Sequence, residues 1–193
     1  MGAGASEFLI RLFHHRWAAA VSIEVARGEG ARFAELGHRL GAPAGSLRSS
    51  LANLIELGLI QRNPGYGHPL RPEYILTRSG IRIVPPLERL LSILDALKVR
   101  EIGLRKWSIP VIDALGRGQN RFRDLSSDLP SISPRALAQT LKDLLAAGLI
   151  RREVLPEFPP VSVYRLTTGG RRLARAARAA EQAARAPSPS RRA

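Results

Sequence analysis

Leu51–Thr77 reads LANLIELGLIQRNPGYGHPLRPEYILT, and Leu141–Thr167 reads LKDLLAAGLIRREVLPEFPPVSVYRLT. The two stretches align without a gap at an offset of 90 residues, with Leu, Gly-Leu-Ile, Arg, Pro, Tyr, Leu and Thr in register. A unit written twice in this way is a small domain duplicated in tandem. Within each copy, an apolar helical stripe stops at a glycine, the usual residue just past a helix end. Two alternating segments joined by a Pro-rich loop follow, and they read as a β-hairpin.

The second copy extends the pattern upstream. Trp107–Leu115 has helical apolar spacing and is stopped by Gly116 and Gly118. Arg121–Leu129 places Phe122, Leu125 and Leu129 on one face. Ser133-Pro134 is a helix start, with serine as N-cap and proline at the first helical position. The helix that follows aligns Leu137, Leu141, Leu144 and Leu145. Leu149–Leu155 and Val161–Leu166 are the hairpin strands. Three helices and a hairpin make a winged helix-turn-helix. The first copy repeats the order with Trp17–Ala26, Phe33–Leu40, Ser46–Leu57, Leu59–Asn63 and Glu73–Thr77.

The predicted fold class is mainly α with small β-hairpins, as two tandem winged helix-turn-helix domains forming a pseudo-dimer. The first, at residues 7–84, is the degenerate copy. A connecting helix covers 85–103, with Leu87, Leu90, Leu91, Leu94 and Leu97 in a stripe that packs the copies together and Pro85-Pro86 at its first turn or at a kink. The second winged helix covers 104–170, a C-terminal helix 171–186, and a disordered tail 187–193.

Composition narrows the partners. The chain has 193 residues, a net charge of +14 and 45% hydrophobic side chains, enough for packed cores. Such a charge points to a polyanion, most simply double-stranded DNA. Its distribution is uneven: residues 1–90 are net +4 and residues 91–180 net +8. Only Lys98, Lys106 and Lys142 among 30 basic residues are lysine, so an arginine-biased genome accounts for part of the excess. The absence of cysteine excludes disulfides and thiolate metal sites. No run is long and apolar enough to span a membrane, and the first residues do not read as a signal peptide, so a cytoplasmic location is expected.

On the third helix of the second copy, Arg135, Gln139 and Lys142 lie opposite the leucine stripe. A helix-turn-helix lays the start of that helix in the major groove, where arginine pairs with guanine, glutamine with adenine, and lysine reaches phosphate or guanine. Ser133 caps the helix or touches phosphate. Arg121 and Arg123 sit where the second helix meets the backbone, and Arg151, Arg152 and Arg165 lie on the wing. The competing reading is a plain solvated face. In the first copy the aligned positions are Gly45, Ser49 and Ala52, so Arg48 and Ser49 remain as readers, with Ser46 as a cap and His68 and Arg71 in the wing loop.

Taken in order, Arg105-Lys106-Trp107, Arg121-Phe122-Arg123-Asp124-Leu125, Leu129-Pro130-Ser131-Ile132-Ser133, Leu137-Ala138-Gln139-Thr140-Leu141, Gly148-Leu149-Ile150-Arg151-Arg152, Pro156-Glu157-Phe158-Pro159-Pro160 and Tyr164-Arg165-Leu166-Thr167 resemble the HxlR type of winged helix-turn-helix transcriptional regulators. The first copy keeps a worn version. The resemblance implies homodimers joined by terminal helices, with one recognition helix per subunit. A tandem copy would build that arrangement in one chain, monomeric in solution; a homodimer of chains is the alternative. Val161 stands where the family commonly has a basic residue, and cysteine-based sensing of oxidants cannot operate in a cysteine-free chain.

Other functions are weaker. Trp17 and Trp107 are the candidates for lining a small-molecule pocket, the alternative being ordinary core. His14-His15 lacks the further ligands of a metal site. Asp124 and Asp128 read as exposed charges on an arginine-rich helix. With no nucleophile elbow, phosphate loop or metal motif, no catalytic residue, cofactor or metal is expected. The leading expectation is a DNA-binding transcriptional regulator acting mainly through the second copy. The alternatives are a small-molecule binder on a repurposed winged-helix scaffold and a protein-interaction module.

Overall fold

The structure, a computed structural model, describes residues 7–64, 73–158 and 160–186. The first half runs α1 (Glu7–Phe13), α2 (Ala18–Arg27), β1 (Ala31–Arg32), α3 (Phe33–Leu40), α4 (Ala44–Glu56), β2 (Ile60–Arg62) and β3 (Glu73–Leu76). Next come α5 (Arg78–Ala96) and the short α6 (Arg100–Gly103). The second half is α7 (Ser108–Gly116), α8 (Phe122–Asp128), α9 (Pro134–Ala146), β4 (Ile150–Leu155), β5 (Val161–Leu166) and α10 (Thr168–Arg185). Helix, helix, helix and hairpin therefore recur, and each copy is a winged helix-turn-helix.

The junction between the third helix and the wing shows why the sequence repeats there. Gly58 and Gly148 follow their helices with φ of 66° and 65°, the left-handed conformation that glycine adopts without a Cβ penalty. The reversed chain brings Leu59 and Leu149 beside the last strand. Thr77 Oγ1 donates to the Gly58 and Leu59 carbonyls at 2.6 and 3.3 Å, and accepts from Gly80 N–H at 3.1 Å. Thr167 repeats the three bonds on Gly148, Leu149 and Gly170 at 2.9, 3.0 and 3.3 Å. One hydroxyl thus closes the turn and caps the following helix. Gly80 and Gly170 are required by closeness: a Cβ there would lie 2.0 Å from the Leu59 carbonyl oxygen and 2.2 Å from that of Leu149.

The chain forms two compact units, each drawn from separated segments. One comprises the described residues of Met1–His14 together with Arg89–Arg178. Here α1 packs on α7, burying Leu9, Leu12 and Phe13. The other comprises His15–Glu88 with the described residues from Ala179 onward. Here the Arg82 guanidinium donates to the Ala183 and Ala186 carbonyls at 3.1 and 2.8 Å, satisfying acceptors that the end of a helix leaves open. The N-terminal helix therefore joins the unit of the second winged helix, and the end of α10 joins that of the first. Periodicity within one helix carries no information about such exchange.

The unit of His15–Glu88 has a three-stranded antiparallel sheet, β1-β3-β2, with Ala31 opposite Tyr74 and Ile60 opposite Leu76. The other has the longer β4–β5 hairpin, in register from Ile150↔Leu166 to Leu155↔Val161, and among the described residues an isolated Arg121↔Val163 bridge in the place of β1. Two helix starts differ from expectation. Helix α4 begins at Ala44 with Pro43 as N-cap, so Ser46 lies inside it instead of capping it, and its backbone carbonyl accepts from Ser50 Oγ at 2.8 Å. Helix α5 begins at Arg78, which puts Pro85 and Pro86 inside the helix rather than at its start. The Thr77 cap sets that start upstream of the leucine stripe.

Candidate nucleic-acid interface

Helix α9 is built as its sequence requires. Ser133 Oγ accepts from Ala136 N–H at 3.2 Å, satisfying one of the four free donors of the first turn, and Pro134 follows at the first position. Leu137, Leu141 and Leu144 are buried. Arg135, Gln139 and Lys142 are all exposed on the opposite side. Arg135 and Lys142 make no hydrogen bond or ion pair among the described residues, so both charges face solvent. Gln139 differs: its Nε2 donates to Asp143 Oδ1 at 2.8 Å, and the other oxygen of Asp143 is held by the Arg105 guanidinium. Bidentate recognition of a base by Gln139 needs that donor, so it requires a local rearrangement of the free protein.

Helix α8 presents Arg123 exposed, with no ion pair or hydrogen bond among the described residues. Arg121 precedes the helix; its backbone N–H donates to Asp124 Oδ2 at 3.3 Å and its guanidinium straddles the Glu157 carboxylate at 3.1 and 3.2 Å. On the wing, Arg152 donates to Ser162 Oγ at 2.7 Å, and Arg151 pairs with Glu153 at 3.1 Å. Both guanidinium groups stay exposed.

The first copy has a thinner set. Arg48 is exposed but lies over the Phe33 ring, 5.9 Å from its centroid. The Ser49 hydroxyl donates to the Gly45 carbonyl at 3.0 Å, back along its own helix. Gly45 and Ala52 are exposed and offer no side-chain donor. Arg71 and His68 lie outside the described residues.

The carboxylates of α8 are not the exposed charges expected. Asp124 takes a backbone N–H at the helix start, where a negative group also meets the helix dipole favourably. The Asp128 side chain is 7% exposed and is gripped by Arg117 at 2.9 and 2.6 Å. Arg117 also bonds Asp113, 2% exposed, at 2.9 Å. The hydrogen bond that Arg117 donates to Asp128 raises the Arg117 pKa further, against an opposing effect of desolvation and with support from Asp113. Reading α8 alone hid this cluster, because its cation comes from the turn after α7. In the first copy Ile23 stands where Asp113 stands and is buried.

Trp17 and Trp107 are half-buried N-caps of α2 and α7, rather than fully buried core. Arg16 and Lys106 lie over their rings, 5.4 and 5.0 Å from the centroids. Among the described residues no group of His, Asp and Glu could hold a metal ion, and no helix is long and apolar enough to cross a membrane.

These features agree with what the chain is similar to. An uncharacterized HTH-type transcriptional regulator of Methanothermobacter thermautotrophicus is 44% identical over 73 residues, covering 38% of this chain and 55% of that protein. The HTH-type transcriptional regulator YodB of Bacillus subtilis is 32% identical over 91 residues, covering 47% of this chain and 73% of that protein. The solved structure of diamide-treated YodB is 31% identical over 49% of this chain and 84% of that one, with a TM-score of 0.37. The chain spans about half the length of the first curated relatives it matches. The profile of the HxlR-like helix-turn-helix family matches at residues 12–100 and again at 102–186, so the chain belongs to that family and carries its domain twice.

Proposed function

We propose that this chain is a DNA-binding transcriptional regulator in which the second winged helix makes most of the contact. The observation that carries the reading is the contrast between the two third helices. Helix α9 offers Arg135 and Lys142 exposed and unpaired among the described residues, behind the Ser133 cap. Helix α4 offers one guanidinium, resting on Phe33, and a serine bonded to its own helix. Relatives named as HTH-type transcriptional regulators support the class. Since affinity rises with the number of phosphates neutralised, the second copy supplies the larger share. Its role is promoter occupancy in the cytoplasm, without chemistry on the DNA, and one chain carries both winged helices. Selection of bound sequences from a random duplex library by the purified chain tests this. Enrichment of a defined site at physiological salt is expected; no enrichment overturns the reading.

A further inference from the structure

The unit that contains the second winged helix has a cleft of about 630 Å³, and every residue lining it belongs to that unit. Five guanidinium groups converge on it: Arg151 and Arg165 from the hairpin, and Arg171, Arg175 and Arg178 from α10. Leu115, Leu166 and Ala174 form an apolar floor, with Tyr164 beside them. A volume of this size and a wall of this mixed character are those of a small-ligand site.

The arginines are not neutralised by their surroundings. Arg151 and Arg165 share one carboxylate, Glu153, at 3.1 and 2.7 Å. Arg178 lies 3.9 Å from Asp113, which Arg117 already holds at 2.9 Å. Arg171 bonds the neutral Leu166 carbonyl and the Thr168 hydroxyl at 3.0 and 3.1 Å. Arg175 makes no hydrogen bond or ion pair among the described residues. Arg171, Arg175 and Arg178 also stack at helical spacing on one face of α10, where like charges repel and destabilise the helix. Such an arrangement does not serve stability.

The first copy supplies the control. At the 90-residue offset the five positions are Gln61, Ile75, Ile81, Pro85 and Glu88. The scaffold therefore stands without these arginines, and a genome-wide arginine bias would not place all five in one copy. No residue of α9 lines the cleft, so the site is separate from the base-reading face and shares only the wing arginines Arg151 and Arg165 with the candidate DNA contacts.

We propose that this cleft binds a small organic anion carrying two or more carboxylate or phosphate groups. Guanidinium forks match both groups bidentately, which gives orientation as well as attraction. The test titrates the full chain with citrate, pyrophosphate and, as a monovalent control, acetate, at fixed ionic strength by calorimetry. Citrate or pyrophosphate is expected to bind saturably with Kd below about 1 mM, and acetate much more weakly. Binding by citrate alone identifies the carboxylate source, and by pyrophosphate alone the phosphate source; either supports the site. The double variant Arg171→Gln with Arg175→Gln should lose about tenfold or more in that affinity, at an unchanged or higher thermal midpoint. Arg135→Gln should leave it unaltered. The proposal is overturned if neither polyanion saturates, or if the double variant binds as the parent does. It is equally overturned if Arg175→Gln lowers only the affinity for duplex DNA and its salt dependence, which makes the cleft a backbone contact. Anion binding is read without DNA, so its failure is distinct from failure of the regulator reading.

Discussion

The two winged helices keep the same skeleton and present different surfaces. Between Trp17 and Gly80, and again between Trp107 and Gly170, the cation over the tryptophan, the left-handed glycine and the threonine junction recur with nearly the same distances. The side chains facing solvent from the third helix, and those of the α10 cleft, do not recur. The glycine and threonine junction ties the end of one helix to the start of the next, so drift there removes bonds from the backbone groups of the turn. The features that differ face water, where substitution costs the fold little. Sequence retention across the duplication therefore marks mechanical necessity, and sequence difference marks surface that the fold leaves unconstrained.

The largest expected effect tests the shared skeleton. Gly80→Ala and Gly170→Ala each drive a methyl group into a backbone carbonyl. Neither can relax by turning a side chain. Each should destabilise its own unit by about 3 kcal/mol, measured by chemical denaturation. Tolerance of either would show that one junction has loosened since duplication. A smaller effect, confined to the second copy, concerns the ion cluster. Asp128→Ala removes the bidentate partner of a mostly buried Arg117 and should cost about 2 kcal/mol, less than a wholly buried pair because Arg117 retains Asp113 and some solvent. Replacing Arg39, which aligns with Asp128 when Phe33 is set against Phe122, should cost well under half of that.

The surface difference is tested on DNA. Arg135→Ala should weaken binding to the selected site about tenfold, with specificity lost at one base pair, whereas Arg48→Ala should change it about twofold or less. Both measurements belong at one fixed salt concentration, because phosphate contacts alone shift affinity by orders of magnitude over ordinary salt ranges. Equal losses would mean that both third helices read bases and that the comparison of exposed side chains misleads.

Most of the skeleton was legible from the chain because local rules govern it. Helix α3 falls at Phe33–Leu40 as expected, Ser133 caps α9, and Leu137, Leu141 and Leu144 of the α9 stripe are buried while Leu145 is half-buried. What escaped depends on partners distant in sequence. Nothing in Leu9, Leu12 and Phe13 says that α1 packs on α7, nearly a hundred residues away. Asp128 looks exposed until Arg117 is placed against it. Gln139 was legible as a surface residue, but not as one tied to Asp143 and through it to Arg105. The arginine cleft had a visible trace, since Arg171, Arg175 and Arg178 share one helical face, yet its other half comes from a hairpin. Local spacing decides elements and buried faces; the charge pairing that fixes a site is long-range.

The smallest effect asks whether the junction threonines are equivalent. Thr77→Val and Thr167→Val keep the shape of the side chain and remove only its hydroxyl. Each variant leaves the N–H of Gly80 or Gly170 without its cap and removes the hydroxyl donor from the Gly58 and Leu59, or the Gly148 and Leu149, carbonyls. The Leu59 and Leu149 carbonyls still receive the threonine backbone N–H at 3.0 and 3.1 Å, so the loss is chiefly that of an N-cap, about 1 kcal/mol in each copy. The shorter bond of Thr77 to Gly58, 2.6 against 2.9 Å in the second copy, places the larger loss in the first. Separate unfolding transitions for the two variants, compared with the parent, measure the difference. A loss confined to the second copy would mean that the first has begun to wear in its skeleton as well as on its surface.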